Sequence, residues 1–124
     1  MPFQINNNYD IPVIEIKDKF LGSLEGPKFK ETLDALKNEG KKDVVVDLSK
    51  TDFIDSSGIG VLIGGHTSLR KAGGAIRLSA MQSRIKSVFL MTKLLGSVFE
   101  NYETADKAVQ SYVVNPPEPA SEIE

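Results

Sequence analysis

The order of predicted strands and helices indicates an α/β fold, in which a mixed, mostly parallel sheet of about five strands packs against about four helices. Short β-branched runs alternate with segments whose apolar residues recur every three or four positions. One of these runs, Asp43–Leu48, carries consecutive valines, which is typical of a strand covered on both faces. Strands that alternate with helices are usually joined by right-handed crossovers, so we expect parallel neighbours.

The first part of the chain supplies two strands and a helix. Ile11–Asp18 is rich in β-branched residues and partly alternates, and residues 2–5 can pair with it across the NNNYD turn as a short edge strand. Residues 19–26 are the least regular stretch. The helix is expected to start at Pro27, because the first helical position tolerates the missing N–H, and to end near Gly40. Its apolar residues recur at helical spacing: Phe29, Leu33 and Leu36.

The remaining elements follow in alternation after the strand at residues 43–48. A second helix carries Ile59, Leu62, Ile63 and Leu69 and ends at residues 71–74 (KAGG). Residues 75–80 (AIRLSA) indicate a strand, a third helix starts near residues 81–83, and residues 97–102 (SVFENY) indicate a last short strand. Thr104 is expected to be the N-cap of a final helix that carries Ala105, Ala108, Val109 and Tyr112.

Composition limits the class of protein. The 124 residues favour one domain, which we place at residues 1–115, and residues 116–124 (PPEPASEIE) are expected to be a disordered acidic tail. There is no cysteine, so disulfides and thiolate chemistry are excluded. Basic residues form no stripe for nucleic acid. No signal peptide and no apolar run near the roughly 18 residues of a membrane span are present, so we expect a cytoplasmic protein.

The segment Asp47–Gly60 (DLSKTDFIDSSGIG) concentrates the polar residues that invite a functional interpretation. One interpretation is a nucleotide-binding loop, because Gly58 and Gly60 lie where a strand leads into a helix. The dinucleotide spacing would need glycine at position 63, which is Ile63, and a Walker loop would need Gly-Lys-Ser/Thr, which is absent. Small residues on a helix face packed against the sheet are the simpler explanation of these glycines.

A second interpretation is catalysis by the aspartates or serines of this segment. A phosphoacceptor aspartate in a receiver-type site needs a lysine at the end of the last strand, and residues 97–102 contain none. A hydrolase needs a base beside its serine, but the only histidine, His66, is predicted mid-helix, two turns from Ser57. We therefore expect no catalytic residue, no metal and no cofactor.

The third interpretation makes a serine the acceptor of a phosphate. Residues 55–58 lie at the predicted start of a helix, where Asp55 or Ser56 can cap the free N–H groups. The positive end of the helix dipole tolerates an added negative charge there. Phosphorylation adds about −1.5 to −2 units of charge and so can repel a docked partner. The position suits a switch, and the same residues also suit a simple cap.

Residues 44–109 resemble the STAS domain of anti-sigma factor antagonists. The signature D-L-x-x-x-x-[FY]-[IM]-D-S-S-G-[IL]-G of that family stands here as Asp47–Gly60, and the resemblance extends over about residues 9–113. It implies a small mixed sheet with packed helices and a role in partner switching. The unphosphorylated antagonist binds an anti-sigma factor that is also a serine kinase, which phosphorylates it with ATP, and a PP2C-type phosphatase restores it.

By this resemblance the phosphorylated residue is Ser56 rather than Ser57. The resemblance also implies a partner-binding surface of eight residues: Asp55, Ser56, Ser57, Gly58, Ile59, Gly60, Gly22 and Ser23. The family commonly has Gly-x-Leu-Asp before its first helix, and Lys19–Gly22 replaces both the glycine and the aspartate. Other STAS domains are constitutive binding subunits of stress-signalling or transport complexes, which leaves that class open as an alternative.

Overall fold

The computed structural model describes residues 3–8 and 10–119. In these residues a β-hairpin is followed by alternating helices and strands. The strands are β1 Phe3–Asn8, β2 Ile11–Phe20, β3 Asp43–Ile54, β4 Ala75–Ser79 and β5 Asn101–Tyr102. The helices are α1 Gly22–Asn38, α2 Ser56–Lys71, α3 Ser83–Met91 and α4 Ala105–Val114.

The five strands form one sheet in the order β1-β2-β3-β4-β5, the same order as in the chain. β1 pairs with β2 in antiparallel fashion, and each later strand is parallel to the one before it. This confirms the predicted α/β class and the mixed, mostly parallel sheet. The crossover helices between parallel strands bring the carboxyl ends of those strands to one edge of the sheet.

The two faces of the sheet are covered unequally. On one face α1, α2 and α3 bury a large core, with Phe29, Leu62 and Phe89 packed over Val44 and Val46 of β3. On the other face α4 alone covers a smaller cluster. Its buried members are Ile11, Val13, Val45, Ala75, Ala108, Val109 and Tyr112. The consecutive valines of β3 are buried on both sides, as their sequence predicted.

The start of α1 corrects a sequence-based prediction. The helix begins at Gly22, not at Pro27, which lies in its second turn. The N-cap residue, Leu21, has no side-chain cap, although its own N–H donates to the Glu25 carboxylate (2.7 Å). Pro27 removes one backbone hydrogen bond to the preceding turn. The local signals for a helix start are thus weak at the position where the helix begins.

The strands β2 and β3 are longer than predicted. β2 continues to Phe20 and β3 to Ile54, and the added residues pair with each other (Lys19 with Phe53, Phe20 with Ile54). Two register irregularities interrupt the ladder there, and the Thr51 hydroxyl donates to the Ile16 carbonyl (2.8 Å). The polar stretch after residue 48 is therefore strand, not loop. This pairing brings the end of β3 beside the start of α1.

The C-terminal elements fit their predictions in part. Thr104 caps α4 as predicted, and its hydroxyl accepts from the Lys107 N–H (3.1 Å). β5 is shorter than predicted and covers only residues 101–102. In the predicted tail, the Glu118 carbonyl accepts from Arg70 Nη1 (2.9 Å), and residues 120–124 lie outside the described residues. Within the described chain, no helix has the length and apolar character needed to cross a membrane.

Candidate functional site

The candidate site lies at the junction of β3 and α2, on the carboxyl edge of the sheet. Ile54 is buried at the end of β3, and Ile59 and Leu62 are buried in the first turns of α2, so both sides of the junction are anchored in the core. Asp55 between them has extended backbone (φ −91°, ψ 174°) and is the N-cap of the helix. The capping residue that the sequence left open between Asp55 and Ser56 is thus Asp55.

One oxygen of Asp55 accepts three hydrogen bonds. Oδ1 receives the Gly58 N–H at 2.6 Å, the Ser57 hydroxyl at 3.0 Å and the Gly22 N–H at 3.1 Å. The N–H donors of Gly22 and Gly58 lower the pKa of Asp55, because they stabilise its charged form. The carboxylate therefore joins the first turn of α1 to the first turn of α2 and stays ionised.

The two glycines at this junction are required by packing. A Cβ placed on Gly22 would lie 2.3 Å from the Ser57 carbonyl carbon, and one on Gly58 would lie 2.4 Å from the Phe20 carbonyl oxygen. These distances leave no room for a side chain. The glycine at position 22, where the family pattern has an aspartate, thus allows α1 to touch the backbone of α2.

The two serines of the motif have different surroundings. The Ser57 hydroxyl donates to Asp55, and Gly22 lies against the Ser57 backbone. Ser56 is exposed at the first helical position, and its hydroxyl forms no hydrogen bond with any of the described residues. Asp55 takes the Gly58 N–H. The Ser56 and Ser57 N–H groups have no partner among the described residues and remain available to a negative group on Ser56.

The eight residues expected to bind a partner differ in their exposure. Ser23 and Gly60 are exposed like the two serines, and Asp55 is half-buried. Gly22, Gly58 and Ile59 are buried, and the two glycines pack closely within the junction. The site therefore presents a smaller exposed set than the family motif suggests.

Sequence reasoning missed two exposed apolar residues near the junction. Leu24 in the first turn of α1 is 69% exposed, and Phe53 near the end of β3 is 46% exposed. The described chain exposes four further large apolar residues, Leu90, Met91, Val113 and Val114, so exposure alone does not identify a contact surface. Strict alternation from buried Thr51 would place Phe53 on the buried side. Asp52 is an extra residue between the pairs Asp18–Thr51 and Lys19–Phe53, so both Asp52 and Phe53 are exposed.

The remaining candidates for chemistry have structural partners. His66 accepts the Ile76 N–H at Nδ1 (3.0 Å) and lies 5.1 Å from the Phe99 ring, so it supports the start of β4. Asp47 is buried and accepts from the Ser49 and Ser79 hydroxyls. No cluster of three possible metal ligands occurs in the part of the chain that the structure describes.

Comparison with known proteins places this arrangement in a family. The family model of the STAS domain matches residues 5–115. The anti-sigma-B factor antagonist of Bacillus subtilis (strain 168) is 28% identical over 95 residues, which are 73% of this chain and 86% of that protein. The match spans the β3–α2 junction of the present fold and most of its other elements.

Solved structures share the fold at low identity. The anti-sigma factor antagonist SpoIIAA in its unphosphorylated form has a TM-score of 0.67 at 16% identity, covering 91% of this chain and 98% of that one. The phosphorylated form of this Bacillus cell fate determinant has a TM-score of 0.68 at 19% identity, with coverage of 87% and 96%. A sulfate transporter family protein from Wolinella succinogenes has a TM-score of 0.74 at 20% identity, with coverage of 88% and 89%.

Proposed function

Because the chain belongs to the STAS domain family, we propose that it is an anti-sigma factor antagonist whose partner binding is controlled by phosphorylation of Ser56. The observation that carries this proposal is the difference between the two serines at the start of α2. Ser56 is exposed with an unengaged hydroxyl, whereas the Ser57 hydroxyl is held by Asp55. A kinase reaches the first serine without breaking a hydrogen bond of the fold.

The electrostatics of the junction support a switch. A phosphate on Ser56 adds about −1.5 to −2 units of charge next to Asp55, which remains ionised because its pKa is lowered. The free N–H groups and the dipole of α2 offset part of this charge within the chain. A partner that docks through apolar or acidic groups has no such compensation and loses affinity.

The proposed partners follow from the family. The unphosphorylated form binds an anti-sigma factor that is also a serine kinase, in the cytoplasm, and a PP2C-type phosphatase removes the phosphate. The name of the Bacillus subtilis relative, anti-sigma-B factor antagonist, supports the first of these partners. Leu24 of α1 and Phe53 of β3 provide exposed apolar area on two of the elements that meet at the junction. In this proposal the protein acts by binding and catalyses no reaction.

Phosphopeptide mapping tests the acceptor directly. We expect incubation with ATP and the cognate kinase to label wild type and Ser57→Ala but not Ser56→Ala. Ser57→Ala is the matched control, since it removes the neighbouring hydroxyl and only one hydrogen bond to Asp55. Label at another residue, or undiminished labelling of Ser56→Ala, would contradict the proposal.

A charge mimic tests the effect on binding. We expect Ser56→Asp to weaken the complex with the anti-sigma factor tenfold or more, equivalent to about 1.4 kcal/mol. Ser83→Asp is the control, because Ser83 is also an exposed serine at the first position of a helix, but of α3. Both variants should keep the wild-type circular dichroism spectrum. Equal affinity of the two variants would count against a docking surface at Ser56.

The alternative is a constitutive STAS subunit of a stress-signalling or transport complex. Its support is the fold shared with the sulfate transporter family protein and the fact that the Asp55 cap explains the motif without phosphorylation. Affinity purification from the native cell separates the two functions. Recovery of a kinase-like anti-sigma factor favours the switch, and recovery of a permease or scaffold with unmodified Ser56 favours the alternative.

A further inference from the structure

A groove of about 500 Å³ lies between α1 and α2, beyond the junction described above. Its wall is predominantly apolar, and both helices contribute to it. The lining residues include Gly26, Phe29 and Leu33 from α1 and Val61, Gly64 and Ser68 from α2. We call this feature the α1–α2 groove. No residue of the proposed switch other than Gly22 lines it.

The glycines of the groove differ in what they do. A Cβ on Gly26 would lie 2.9 Å from Val61 Cγ2, and one on Gly65 would lie 2.5 Å from Leu33 Cδ1, so these two glycines let the helices approach. A Cβ on Gly64 would meet nothing within 4 Å. Packing inside the chain therefore does not require glycine at position 64, where it weakens the helix relative to alanine. Its effect is to leave the groove deep.

The size of the groove is typical of a binding site for a small molecule. Small-molecule sites have volumes of roughly 300–1,000 Å³ and mostly apolar walls, and this groove matches both properties. A stable protein interface involves roughly 20–30 residues on each partner, more than the eleven residues that line this groove. From Val61 to Ser68 the groove follows α2 for about 10 Å, the length of a short hydrocarbon chain.

A lysine that does not itself line the groove contacts the lining residue Ser68 at one end of it. Lys37, in the last turn of α1, donates from Nζ to the Ser68 hydroxyl (2.7 Å). Among the described residues, no carboxylate lies within 4.0 Å of Lys37, whereas Lys30 at the groove is paired with Asp34 (3.2 Å). Lys71, three residues after Ser68, adds an exposed cation on the same side of α2. A carboxylate at this end gains a charged partner in place of a neutral hydroxyl.

We propose that the α1–α2 groove binds a single-chain carboxylate of about eight to ten carbons, a length set by the 1.5 Å helical rise between Val61 and Ser68. The carboxylate lies at Lys37 and Ser68, and the hydrocarbon chain runs past Gly64 towards Gly26. The apolar wall of the groove would contact the hydrocarbon chain of the ligand. Lys37, which has no carboxylate partner among the described residues, would bind the carboxylate head group.

Titration of the full chain with sodium decanoate, followed by amide NMR, tests this site. We expect saturable shifts at Gly26, Gly64 and Ser68, and an affinity at least about tenfold lower for Gly64→Leu, whose side chain fills the groove. Thr67→Leu is the matched control, because Thr67 is exposed on the same helix and does not line the groove. Equal binding by both variants, or no saturable shift in the groove, overturns the proposal.

The head group is tested separately with decanol. Wild type should prefer decanoate, and Lys37→Gln should lose that preference while still binding decanol. This surface substitution also keeps the proposal testable if Gly64→Leu does not fold. If Gly64→Leu weakens an anti-sigma factor complex while decanoate does not bind, the groove is a protein contact and the proposal is wrong. The titration uses the unphosphorylated chain alone, so its result is independent of the proposed switch.

Discussion

Asp55 shows how much of the candidate site depends on one atom. Its Oδ1 accepts N–H groups from two helices that lie far apart in the sequence, Gly58 of α2 and Gly22 of α1. A third donor, the Ser57 hydroxyl, completes the set and thereby leaves Ser56 as the unengaged serine. Ser56 and Ser57 therefore differ in hydrogen bonding because Asp55 accepts a hydrogen bond from the second hydroxyl only.

His66 leads to a pH prediction. Burial is the largest cause of its lowered pKa, and the charge of Arg70 adds to it, so folding favours the neutral ring. The contribution of neutral His66 to the free energy of unfolding is therefore fully present above the unfolded pKa of about 6.5. It falls below that pH, because the unfolded chain binds a proton that the folded chain resists, and it levels off below the folded pKa. The neutral Nδ1 is also the acceptor of the Ile76 N–H.

We therefore expect the urea midpoint of wild type to decrease between about pH 7.5 and pH 5, over the range in which a histidine titrates. His66→Gln should be less stable at neutral pH but nearly independent of pH over this range. His66 is the only histidine in the sequence, so the comparison isolates one side chain. A midpoint that falls equally in both proteins would contradict the assignment to His66.

The roles of the site residues could be predicted from the sequence where those residues are neighbours in the chain. The order of Asp55, Ser56 and Ser57 at a strand-to-helix junction was enough to predict a cap and to single out a serine through the family resemblance. The Asp55–Gly22 contact was not predictable, because it joins residues 33 positions apart. The role of His66 was missed for the same reason, since its partner belongs to another element.

At the scale of elements, α1 depends on a cap supplied by another part of the chain. Its N-cap residue is Leu21, which has no polar side chain, and the Gly22 N–H is satisfied by Asp55. Pro27 gave a stronger local signal and so misplaced the predicted start. The ends of β2 and β3 were underestimated similarly, because residues 49–52 are polar and the strand is extended there by pairing with its neighbour.

A pair of glycine substitutions tests how closely α1 and α2 must approach. We expect Gly22→Ala to destabilise the fold by about 1–3 kcal/mol, because the new methyl group meets the Ser57 backbone. Gly60→Ala is the control, since its Cβ meets nothing within 4 Å, and it should stabilise α2 by up to about 1 kcal/mol. Urea denaturation measures both. A Gly22→Ala protein as stable as wild type would show that the junction can widen.

At the scale of the whole molecule, Tyr112 attaches α4 to the sheet. Its hydroxyl is buried and lies 2.7 Å from the Val44 carbonyl and 2.9 Å from the Ala75 carbonyl, so it contacts β3 and the start of β4 at once. Burial raises the pKa of Tyr112, so the hydroxyl remains a donor. Arg77 lies over its ring, 4.3 Å from the centroid.

Tyr112→Phe is expected to lower the free energy of unfolding by about 1–2 kcal/mol, because it removes the single hydroxyl hydrogen that the Val44 and Ala75 carbonyls share. Tyr102→Phe is the control, since Tyr102 is only half-buried and its hydroxyl has no hydrogen-bond partner in the described part of the chain. Chemical denaturation followed by circular dichroism compares them. Equal stability of the two variants would argue against Tyr112 as the attachment of α4.

The fold class was predictable because its signal is repeated along the whole chain. Each apolar run predicted one strand, and each segment with helical spacing predicted one helix. Errors in where these elements begin and end did not change their order along the chain. Which face of the sheet each helix covers was not predictable, because α4 and α2 have similar apolar spacing. The difference arises from crossover geometry and from long-range contacts such as that of Tyr112 with Val44.

The unequal covering of the sheet has a consequence for synthesis on the ribosome. Domains fold from the N-terminal side as the chain emerges, and β1 to β4 with α1 to α3 are all made before residue 105. Until α4 follows, Val13, Val45 and Ala75 on the second face have no cover. A nascent chain that has folded as far as α3 therefore exposes these apolar residues until α4 emerges and packs on them.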